Sequence, residues 1–360
     1  MRILYLSRGG NPHDRRILTA LAETEHSVFF MPMEVSADSE RDFMPGNVEI
    51  LDSAGSLDSV NLLAILDRVQ PDLVHAGPIQ GGAHLVAQTD WHPLVSMSWG
   101  SDLLVDALSG EGRAIAEDTL LASDVLICDC QTVRDAAVRL GMPDDRIVVF
   151  PWGVDLDQFS PGRDGQLRER FSWQDKFVIL STRSWEPLYG VDLIVTAFIE
   201  ASNAEPSLRL LMLGDGSQRA ELLDRLSEAG LIGRIHAPGT VEPEELPAYY
   251  RGSDLYVSAS HSDGTSVSLL ESMACGLPAI VSDIPSNKEW VVPESTGWWF
   301  EDGKATELSH GIVAAVAASE QLHKMGNRAR QIAEERGDWK ANFRKLLDAY
   351  EMAISIAQPQ

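Results

Sequence analysis

The stretch DLYVSASHSDGTSVSLLESMACGLPAIVSD, residues Asp254–Asp283, decides the fold. It opens with a β-prone run, Asp254–Ser258, and closes with a second apolar run, Ala279–Val281. Between these runs, a Gly-containing loop leads into a segment with helical spacing from about Ser266 to Ala274, and Gly276 marks its end. The stretch therefore predicts a strand, a loop, a helix and a second strand, which is the repeating unit of α/β domains.

The loop before this helix has the composition of an anion-binding site. Gly264, Thr265 and Ser266 are small, so a phosphate could approach their backbone N–H groups at the positive end of the helix. Glu271 follows five or six residues into the helix, roughly 8–9 Å beyond the loop at about 1.5 Å per residue. This separation matches the distance from a pyrophosphate to a ribose, whose vicinal hydroxyls a carboxylate can hold.

Two acids in this stretch resemble the donor-site signature of retaining GT-B glycosyltransferases of family 4, the glycosyl transferases group 1. Asp263 and Glu271 are separated by seven residues, as the two acids of that signature are. The resemblance implies that Asp263 meets the donor sugar and that Glu271 meets the nucleotide ribose. Family members usually have Glu at the first position, and Asp263 is shorter by one methylene.

The rest of the chain alternates between strand-like and helix-like patterns, which predicts parallel sheets covered by helices on both faces. Predicted strands are 3–6, 27–30, 71–75, 94–98, 125–128, 147–150, 177–180, 208–213 and 234–236, in addition to the two in the opening stretch. Predicted helices are 13–22, 60–69, 81–87, 191–201, 218–228, 244–250, 306–318, 321–335 and 339–356. Ligands of such sheets bind at the carboxyl ends of the strands.

The resemblance extends over nearly the whole chain and implies the GT-B fold, with two doubly wound Rossmann-like domains facing across a cleft. We expect an acceptor-side domain at residues 1–157 and a nucleotide-sugar-binding domain at 165–335. A Pro- and Gly-rich segment at 151–163 would link them. A final helix at 339–357 would cross back to the first domain.

Composition narrows the class of protein. The 360 residues carry a net charge of −25, which argues against binding nucleic acid. The N-terminus lacks a signal peptide and no stretch reaches the roughly 20 apolar residues of a membrane span. Cys128, Cys130 and Cys275 are expected to be reduced and buried, which favours the cytoplasm. We expect no metal site, because Cys128 and Cys130 are too close together and lack a second pair.

A phosphate-binding segment is expected after the strand at 177–180. Family 4 enzymes have Gly-Arg there and Lys-Gly several residues later. Aligned on Gly190, this chain has Ser184 at the Arg position and Tyr189 at the Lys position. Arg183 lies one residue early, and we predict that it still neutralises the leaving diphosphate. The alternative is a surface arginine. Tyr189 offers a hydrogen bond without a charge.

The nucleotide base is expected near two further loops of the second domain. His236 and Pro238 follow a strand, and they resemble the loop that frames the base in family 4. Gly214 lies in the other loop of that wall. Both loops could equally be ordinary turns.

The first domain has a Gly-rich loop after its first strand. Gly9 and Gly10 do not form the G-x-G-x-x-G pattern, so we do not predict NAD. In family 4 the corresponding loop approaches the donor phosphates or the acceptor, and His13 follows as an acceptor-side candidate. A solvated residue beside a helix cap is the alternative for His13.

The segment around Trp99 departs from the family pattern. Many relatives have His-Gly-x-Asp near the reacting sugar, and Trp99 occupies the His position. Asp102 is predicted to orient the acceptor or to remove its proton, with a simple helix N-cap as the alternative. Trp99 would either stack on a sugar or fill the core. His75 and Gln80 are further acceptor-side candidates at a strand end.

The sequence thus indicates a retaining glycosyltransferase that moves a sugar from a nucleotide sugar, preferably a UDP-sugar, to a glycan, a lipid-linked saccharide or a small molecule. The resemblance also implies a role in polysaccharide biosynthesis and an enzyme that needs no bound cofactor besides its nucleotide-sugar substrate. Peripheral contact with a membrane stays open. Two alternatives remain. One is another GT-B activity, either a nucleotide-sugar epimerase or a phosphorylase. The other is a non-catalytic subunit that binds a nucleotide sugar or a partner enzyme.

Overall fold

The protein folds into two compact units. A computed structural model describes residues 1–52 and 58–358. The first unit comprises Met1–Trp152 together with Lys340–Gln360, and the second comprises Gly153–Trp339.

The first unit is built on a parallel sheet. In the described residues it has seven strands in the order β3-β2-β1-β4-β5-β6-β7. The strands are β1 Arg2–Ser7, β2 Ser27–Pro32, β3 Val48–Ile50, β4 Leu73–Ala76, β5 Leu94–Met97, β6 Val125–Cys128 and β7 Ile147–Val149. Strand order reverses between β1 and β4, so the chain segments that leave these two strands diverge at their carboxyl ends.

Helices connect these strands, as parallel pairing requires. They are α1 Pro12–Ala22, α2 Ala37–Arg41, α3 Ser59–Val69, α4 His84–Ala87, α5 Ser101–Leu104, α6 Gly110–Ala122 and α7 Gln131–Arg139. Short non-α turns occur at Ile79–Ala83, Asp106–Leu108 and Asp144–Arg146.

The second unit has its own parallel sheet. Its six described strands are ordered β10-β9-β8-β11-β12-β13, with the reversal between β8 and β11. The strands are β8 Phe177–Ser181, β9 Leu208–Leu213, β10 Ile235–Gly239, β11 Leu255–Ser258, β12 Ala279–Ser282 and β13 Gly297–Phe300.

The helices of the second unit cover both faces of its sheet. They are α8 Gly165–Arg170, α9 Val191–Ala204, α10 Arg219–Glu228, α11 Leu246–Arg251, α12 Val267–Ala274, α13 Pro285–Lys288, α14 Ala305–Ala317 and α15 Ser319–Arg336. Turns of 3-10 helix lie at Pro187–Tyr189 and Ile232–Arg234. The last helix, α16 Trp339–Ala357, lies in the first unit from Lys340 onward.

The core of the second unit follows from strand alternation, because successive side chains of a strand point to opposite faces. In β8, Ile179 packs in a cluster with Val195 of α9 on one face. Val178 packs on the other face in a cluster with Leu270 of α12 and Ala333 of α15. Both faces are apolar, so the strand reads as a continuous hydrophobic run.

The predicted strands and long helices correspond to elements of the structure, usually within a few residues. Helices α6 and α7 were not predicted, and the pattern also missed several short elements, including β3, α2, α8, α13 and β13. These short elements have three to six residues, which is too few to show a clear helical or strand period. The second unit therefore has an additional edge strand, β13, which pairs in parallel with β12.

The segment expected as a linker, 151–163, packs on the second unit rather than spanning freely. Val154 and Phe159 are buried in a hydrophobic cluster of that unit. Val154 also forms a parallel bridge with Asp338. The chain therefore changes units at Trp152, before most of the predicted linker.

Two further expectations concern the cysteines and membrane spans. Cys128, Cys130 and Cys275 are free and buried, as predicted. Among the described residues, no helix combines the length and apolar character needed to cross a membrane.

The packing of α15 against the loop after α12 generates the first prediction. A Cβ at Gly326 would lie 1.9 Å from the carbonyl oxygen of Gly276, so the two backbones touch. Gly326→Ala is expected to lower the free energy of unfolding by about 1–3 kcal/mol, because a rigid carbonyl must move. Urea titration would measure the change.

Gly233→Ala is the matched control for this substitution. A Cβ at Gly233 has no heavy atom within 4 Å, so its unfolding free energy should stay within about 0.5 kcal/mol of wild type. Equal stability of the two variants would contradict the close packing of α15.

Candidate functional site

The candidate donor site lies where the strand order of the second unit reverses. Arg183 follows β8, and Asp263 follows β11. These strands are paired in parallel, so their carboxyl ends lie side by side. Fold topology alone therefore brings together two residues that are far apart in sequence.

The N-terminus of α12 forms one wall of this site. Ser266 is its N-cap, and its side chain accepts a hydrogen bond from the Leu269 backbone N–H at 3.4 Å. Gly264 and Thr265 precede it in the loop and are buried. The predicted arrangement of a small-residue loop before a helix N-terminus is thus present, and the helix dipole favours an anion there.

Arg183 is held at the centre of the site. Its Nη2 lies 2.8 Å from Oδ2 of Asp263, with the two side chains 12% and 18% exposed. Its Nη1 donates to Oγ of Ser266 at 2.9 Å. Its guanidinium lies over the Tyr189 ring, 4.2 Å from the centroid. The surface alternative for Arg183 is therefore wrong, and Tyr189 contributes a ring face to this arginine.

The two charges of this pair shift each other's proton affinity. Burial raises the pKa of the Asp263 carboxyl, and the charge of Arg183 and the Gly264 N–H only partly oppose this rise. Burial favours a lower pKa for Arg183, but Asp263 and nearby tyrosines raise it overall. Both groups thus depend on a partner to remain charged in a buried position.

Glu271 is positioned by a tyrosine from a neighbouring helix. It is the fifth residue of α12, and Tyr250 of α11 donates its hydroxyl to Oε2 at 2.7 Å. The Tyr250 hydroxyl also lies 3.1 Å from Oγ1 of Thr182, which immediately precedes Arg183. The tyrosine therefore connects the predicted ribose acid to the phosphate-binding segment.

Ser268 completes a network between the two acids. Its Oγ lies 2.7 Å from the hydroxyl of Tyr256 and accepts from Nη1 of Arg183 at 3.4 Å. Its carbonyl oxygen lies 3.2 Å from the Tyr250 hydroxyl, which donates to Glu271. Asp263, Arg183 and Glu271 therefore belong to one cluster, in which an ion pair joins Asp263 to Arg183 and polar contacts join Arg183 to Glu271 through Ser268 and Tyr250.

Sequence reasoning missed Tyr250 and Ser268 because the motif spacing does not reveal them. Tyr250 lies on a different helix from Glu271, and it could be matched to that acid only from the fold. Ser268 faces Arg183 because it is the second residue of α12. A polar residue in the first turn of a helix at a candidate anion site was the one available signal for Ser268.

The expected base-binding residues lie beside this network. Gly214 has φ +95°, and a Cβ there would lie 2.9 Å from the carbonyl oxygen of Arg183, so the β9 and β8 loops approach closely. Its N–H donates to the carbonyl oxygen of Gly239 at 2.8 Å. Pro238 is exposed. The role of these two loops in binding a base stays a prediction.

His236 has a packing environment that explains its side chain. Its ring lies 4.2 Å from that of Phe171 and is stacked on Tyr249 at 6.2 Å, measured between centroids. Burial, and then the charge of Arg170, lower the pKa of His236. The imidazole therefore belongs to an aromatic cluster, and only its backbone remains a candidate for framing a base.

In the first unit, Asp102 is a structural residue rather than an open acid. It is 2% exposed. Its carboxylate accepts from the Ser98 hydroxyl at 2.7 Å and from the backbone N–H groups of Ile79, Trp99 and Leu103. Burial raises its pKa, and these hydrogen bonds oppose the rise.

This environment corrects the expectation that Asp102 orients an acceptor or removes its proton. A carboxylate saturated by protein donors has no free oxygen for a substrate. The alternative is also wrong, because Gly100 is the N-cap of α5 and Asp102 lies within that helix. Asp102 instead fastens the start of the Ile79–Ala83 turn to the loop after β5.

The Gly-rich loop after β1 is occupied by carboxylates of the same unit. The Gly9 N–H donates to Asp14 at 3.1 Å, and the Gly10 N–H donates to Glu40 at 2.9 Å. Glu40 is 1% exposed and also lies 3.4 Å from Arg15. A substrate phosphate would therefore have to displace a carboxylate here, whereas approach of an acceptor to Gly9 and Gly10 stays a prediction.

Two other acceptor-side candidates are brought together. The rings of His13 and Trp99 meet edge to face, with centroids 5.6 Å apart. Both side chains are only partly buried. Gln80 donates to the carbonyl oxygen of Asp102 at 2.7 Å, so it supports the same loop. An acceptor role for His13, Trp99 and Gln80 stays a prediction.

His75 is not available to a substrate. Its ring is fully buried, and Nδ1 lies 2.7 Å from the hydroxyl of Tyr350 on α16. The same ring meets Tyr5 edge to face at 4.7 Å. The expectation that His75 lines an acceptor site is therefore wrong, and the residue instead ties the C-terminal helix to the first sheet.

Family models match both halves of the chain. Residues 164–332 match a model described as glycosyl transferases group 1. Residues 2–129 match a model described as glycosyl transferase 4-like. The first of these ranges contains Arg183, Asp263 and Glu271, whose cluster is described above.

Curated relatives are similar over part of their length. A protein of Segniliparus rotundus named D-inositol 3-phosphate glycosyltransferase is 28% identical over 69% of this chain and 55% of its own. A Mycolicibacterium smegmatis protein named GDP-mannose-dependent alpha-(1-6)-phosphatidylinositol monomannoside mannosyltransferase is 23% identical over 74% of this chain and 70% of its own. The chain spans 55–67% of the length of the first three such relatives.

A solved structure supports the fold. HepE of Anabaena, described in complex with UDP-glucose, superimposes with a TM-score of 0.84 at 18% identity. The match covers 98% of this chain and 99% of HepE. The predicted GT-B class of α/β fold is therefore confirmed.

The buried His75 generates a prediction about pH. Burial lowers its pKa to about 3, whereas an unfolded histidine titrates near 6.5. Between these values the unfolded chain binds a proton that folded His75 does not. Its contribution to stability is thus full above about pH 6.5 and declines as pH falls toward 3.

Comparison with His75→Gln isolates this contribution, since all other groups titrate alike in both proteins. Between pH 8 and 5.5, wild type should lose about 1.4 kcal/mol more unfolding free energy than the variant. Urea titration at each pH would measure this difference. Parallel curves for the two proteins would contradict a neutral, buried His75.

Proposed function

This chain belongs to the group 1 glycosyl transferases of the GT-B, family 4 type, and from that membership we propose that it transfers a sugar from a nucleotide sugar to an acceptor hydroxyl with retention of configuration. The observation that carries the proposal is the cluster of Asp263, Arg183 and Glu271 at the N-terminus of α12. It combines a cation and a helix end, which suit a diphosphate, with two carboxylates, which suit hydroxyl groups.

The donor binds to the second unit in this proposal. Glu271, oriented by Tyr250, accepts hydrogen bonds from the ribose hydroxyls. Arg183 and the N–H groups of Gly264, Thr265 and Ser266 hold the diphosphate. Asp263 accepts hydrogen bonds from the sugar. Gly214, Pro238 and the His236 backbone lie along the wall expected to frame the base.

The reaction itself needs no protein nucleophile. The acceptor oxygen bonds to the anomeric carbon on the face that the diphosphate leaves, as the bond between that carbon and the phosphate oxygen breaks. The acceptor proton passes to the departing phosphate oxygen, and the products are the glycoside and a nucleoside diphosphate. Arg183 stabilises the negative charge that develops on the leaving group. No bound cofactor or metal ion takes part in these proposed reaction steps.

UDP-sugars are the favoured donors. HepE, which shares the fold, is described with UDP-glucose, whereas the Mycolicibacterium smegmatis relative is named for GDP-mannose. The acceptor class comprises glycans, lipid-linked saccharides and small molecules. Inositol phosphates enter that class because a relative is named D-inositol 3-phosphate glycosyltransferase. Polysaccharide biosynthesis is the corresponding cellular role.

A reducing compartment, the cytoplasm, is the proposed location. Its support is the state of the cysteines, since all three thiols are free and buried. Burial raises the pKa of Cys275 to about 12, which keeps it as an unreactive thiol.

A thermal-shift screen tests donor binding first. UDP, GDP, ADP and their common sugar conjugates would be added to wild type, to Glu271→Ala and to the control Glu228→Ala on the exposed face of α10. One base is expected to raise Tm by a few degrees, as binding at about 100 times Kd adds about 2.7 kcal/mol. The shift should disappear in Glu271→Ala and persist in Glu228→Ala.

Product analysis then tests the reaction. The stabilising donor would be incubated with and without inositol phosphates and saccharide acceptors, and the anomeric configuration of any product would be read by NMR. A glycoside with the donor's configuration supports the proposal. Conversion of the donor sugar without acceptor indicates an epimerase. Donor binding without turnover for any acceptor favours the non-catalytic subunit, to which the neutral Tyr189 and the Trp99 substitution lend support.

A further inference from the structure

Arg183 and Asp263 form an ion pair with each other, but in the proposed reaction each of them must contact the donor instead. Nη2 of Arg183 lies 2.8 Å from Oδ2 of Asp263. In the proposed reaction, however, Arg183 must face a diphosphate and Asp263 must face a sugar. One contact thus occupies both groups that the donor needs.

The contact has the character of a charge pair rather than an aligned hydrogen bond. Oδ2 of Asp263 is buried and has no hydrogen-bond partner of good geometry among the described residues. Nε of Arg183 is likewise buried and without a hydrogen-bond partner in the described part of the chain. Each group therefore retains unused hydrogen-bonding capacity that better-aligned partners could satisfy.

The charges nearby do not allow Arg183 to serve two anions equally. Tyr189 stands where family members have Lys, so the segment after β8 supplies Arg183 as its cation. The remaining charged side chains described in the cluster are the acids Asp263 and Glu271. A diphosphate placed against Arg183 competes with Asp263, and like charges in a buried site repel strongly.

We infer that Arg183 and Asp263 exchange partners when a donor binds, so that Asp263 makes the site select an intact nucleotide sugar over a free nucleoside diphosphate. The inference rests on the proposed function. Both ligands draw Arg183 away from Asp263. The intact donor brings sugar hydroxyls that donate to the released carboxylate, whereas the free diphosphate leaves that carboxylate buried and unpaired beside a polyanion.

The exchange also explains how product leaves. After transfer, the sugar is bound to the acceptor, and Asp263 loses its hydroxyl partners. Its re-pairing with Arg183 then competes directly with the diphosphate. The same acid that helps to hold the donor thereby promotes release of the nucleotide product.

Asp263→Asn separates this role from simple donor contact. The amide preserves shape and can bond to hydroxyls but cannot neutralise Arg183. Isothermal titration with UDP and UDP-glucose, or with GDP and GDP-mannose if the screen selects that base, should show about tenfold tighter binding of the free diphosphate. Binding of the sugar nucleotide should stay within about threefold of wild type or weaken. The preference for intact donor therefore falls at least about threefold.

Two controls define where the effect originates. Asp283→Asn removes a carboxylate paired with Lys288 in the same unit, and it should leave the preference unchanged. In an Arg183→Gln background, Asp263→Asn should tighten diphosphate binding clearly less than it does in wild type, because the repulsion is relieved but no cation is released. Circular dichroism would verify that each variant is folded.

The outcomes also separate this inference from the proposed function. If wild type binds the diphosphate and Asp263→Asn binds it equally or more weakly, partner exchange is wrong while the donor site stands. The same conclusion follows if the tightening is equally large without Arg183. If neither wild type nor Asp263→Asn binds any of the four nucleotides, the proposed function fails and the inference fails with it.

Discussion

The pairing of β8 with β11 is the constraint on which the candidate site depends. Parallel strands cannot be joined by a tight turn, so the chain leaves β8 through α9 and β9 on one side and returns to β11 on the other. The two carboxyl ends are therefore neighbours whose connecting segments diverge, which leaves room for a ligand. Arg183 arrives from one strand, and Asp263 arrives from the other. The helix that starts at Val267 directs its N-terminus at the same point, and its fifth residue, Glu271, lies within the same hydrogen-bonded cluster.

The parts of this site that sequence could predict are those fixed by local physics. Ser266 was expected at the start of a helix, and it caps that helix because its hydroxyl satisfies a backbone N–H that lacks a partner inside the helix. Residues fixed by distant contacts escaped prediction. Tyr250 reaches Glu271 from another helix, and Glu40 reaches the Gly10 N–H across thirty positions of sequence. Asp102 is the opposite case. Its position in the motif predicted a role in orienting or deprotonating the acceptor, but its burial among four protein hydrogen-bond donors indicates a structural role.

The departures from the family pattern form a consistent set. Tyr189 stands at the position of Lys in the family pattern that the sequence resembles, and Asp263 stands where that pattern usually has Glu. Removing one cation leaves Arg183 as the cation of this segment, and the shorter acid forms an ion pair with it. The aromatic ring of Tyr189 covers the guanidinium, which limits its hydration without competing for its charge. Each substitution alone weakens a resemblance, but together they define a site with one cation, one covering ring and two acids.

The contact between His75 and Tyr350 determines when the first unit can finish folding as the chain is synthesised. Ribosomes add about 5–20 residues per second, and domains tend to fold as they emerge. The first sheet is made by the time Trp152 is added, but its partner helix α16 follows the whole second unit. The intervening chain of roughly 200 residues takes about 10–40 s to make at that rate. During this interval His75 lacks the hydroxyl that satisfies its ring nitrogen. The first unit is therefore the first to be started and the last to be completed during synthesis. A chain that stops before α16 lacks the last helix of its first unit.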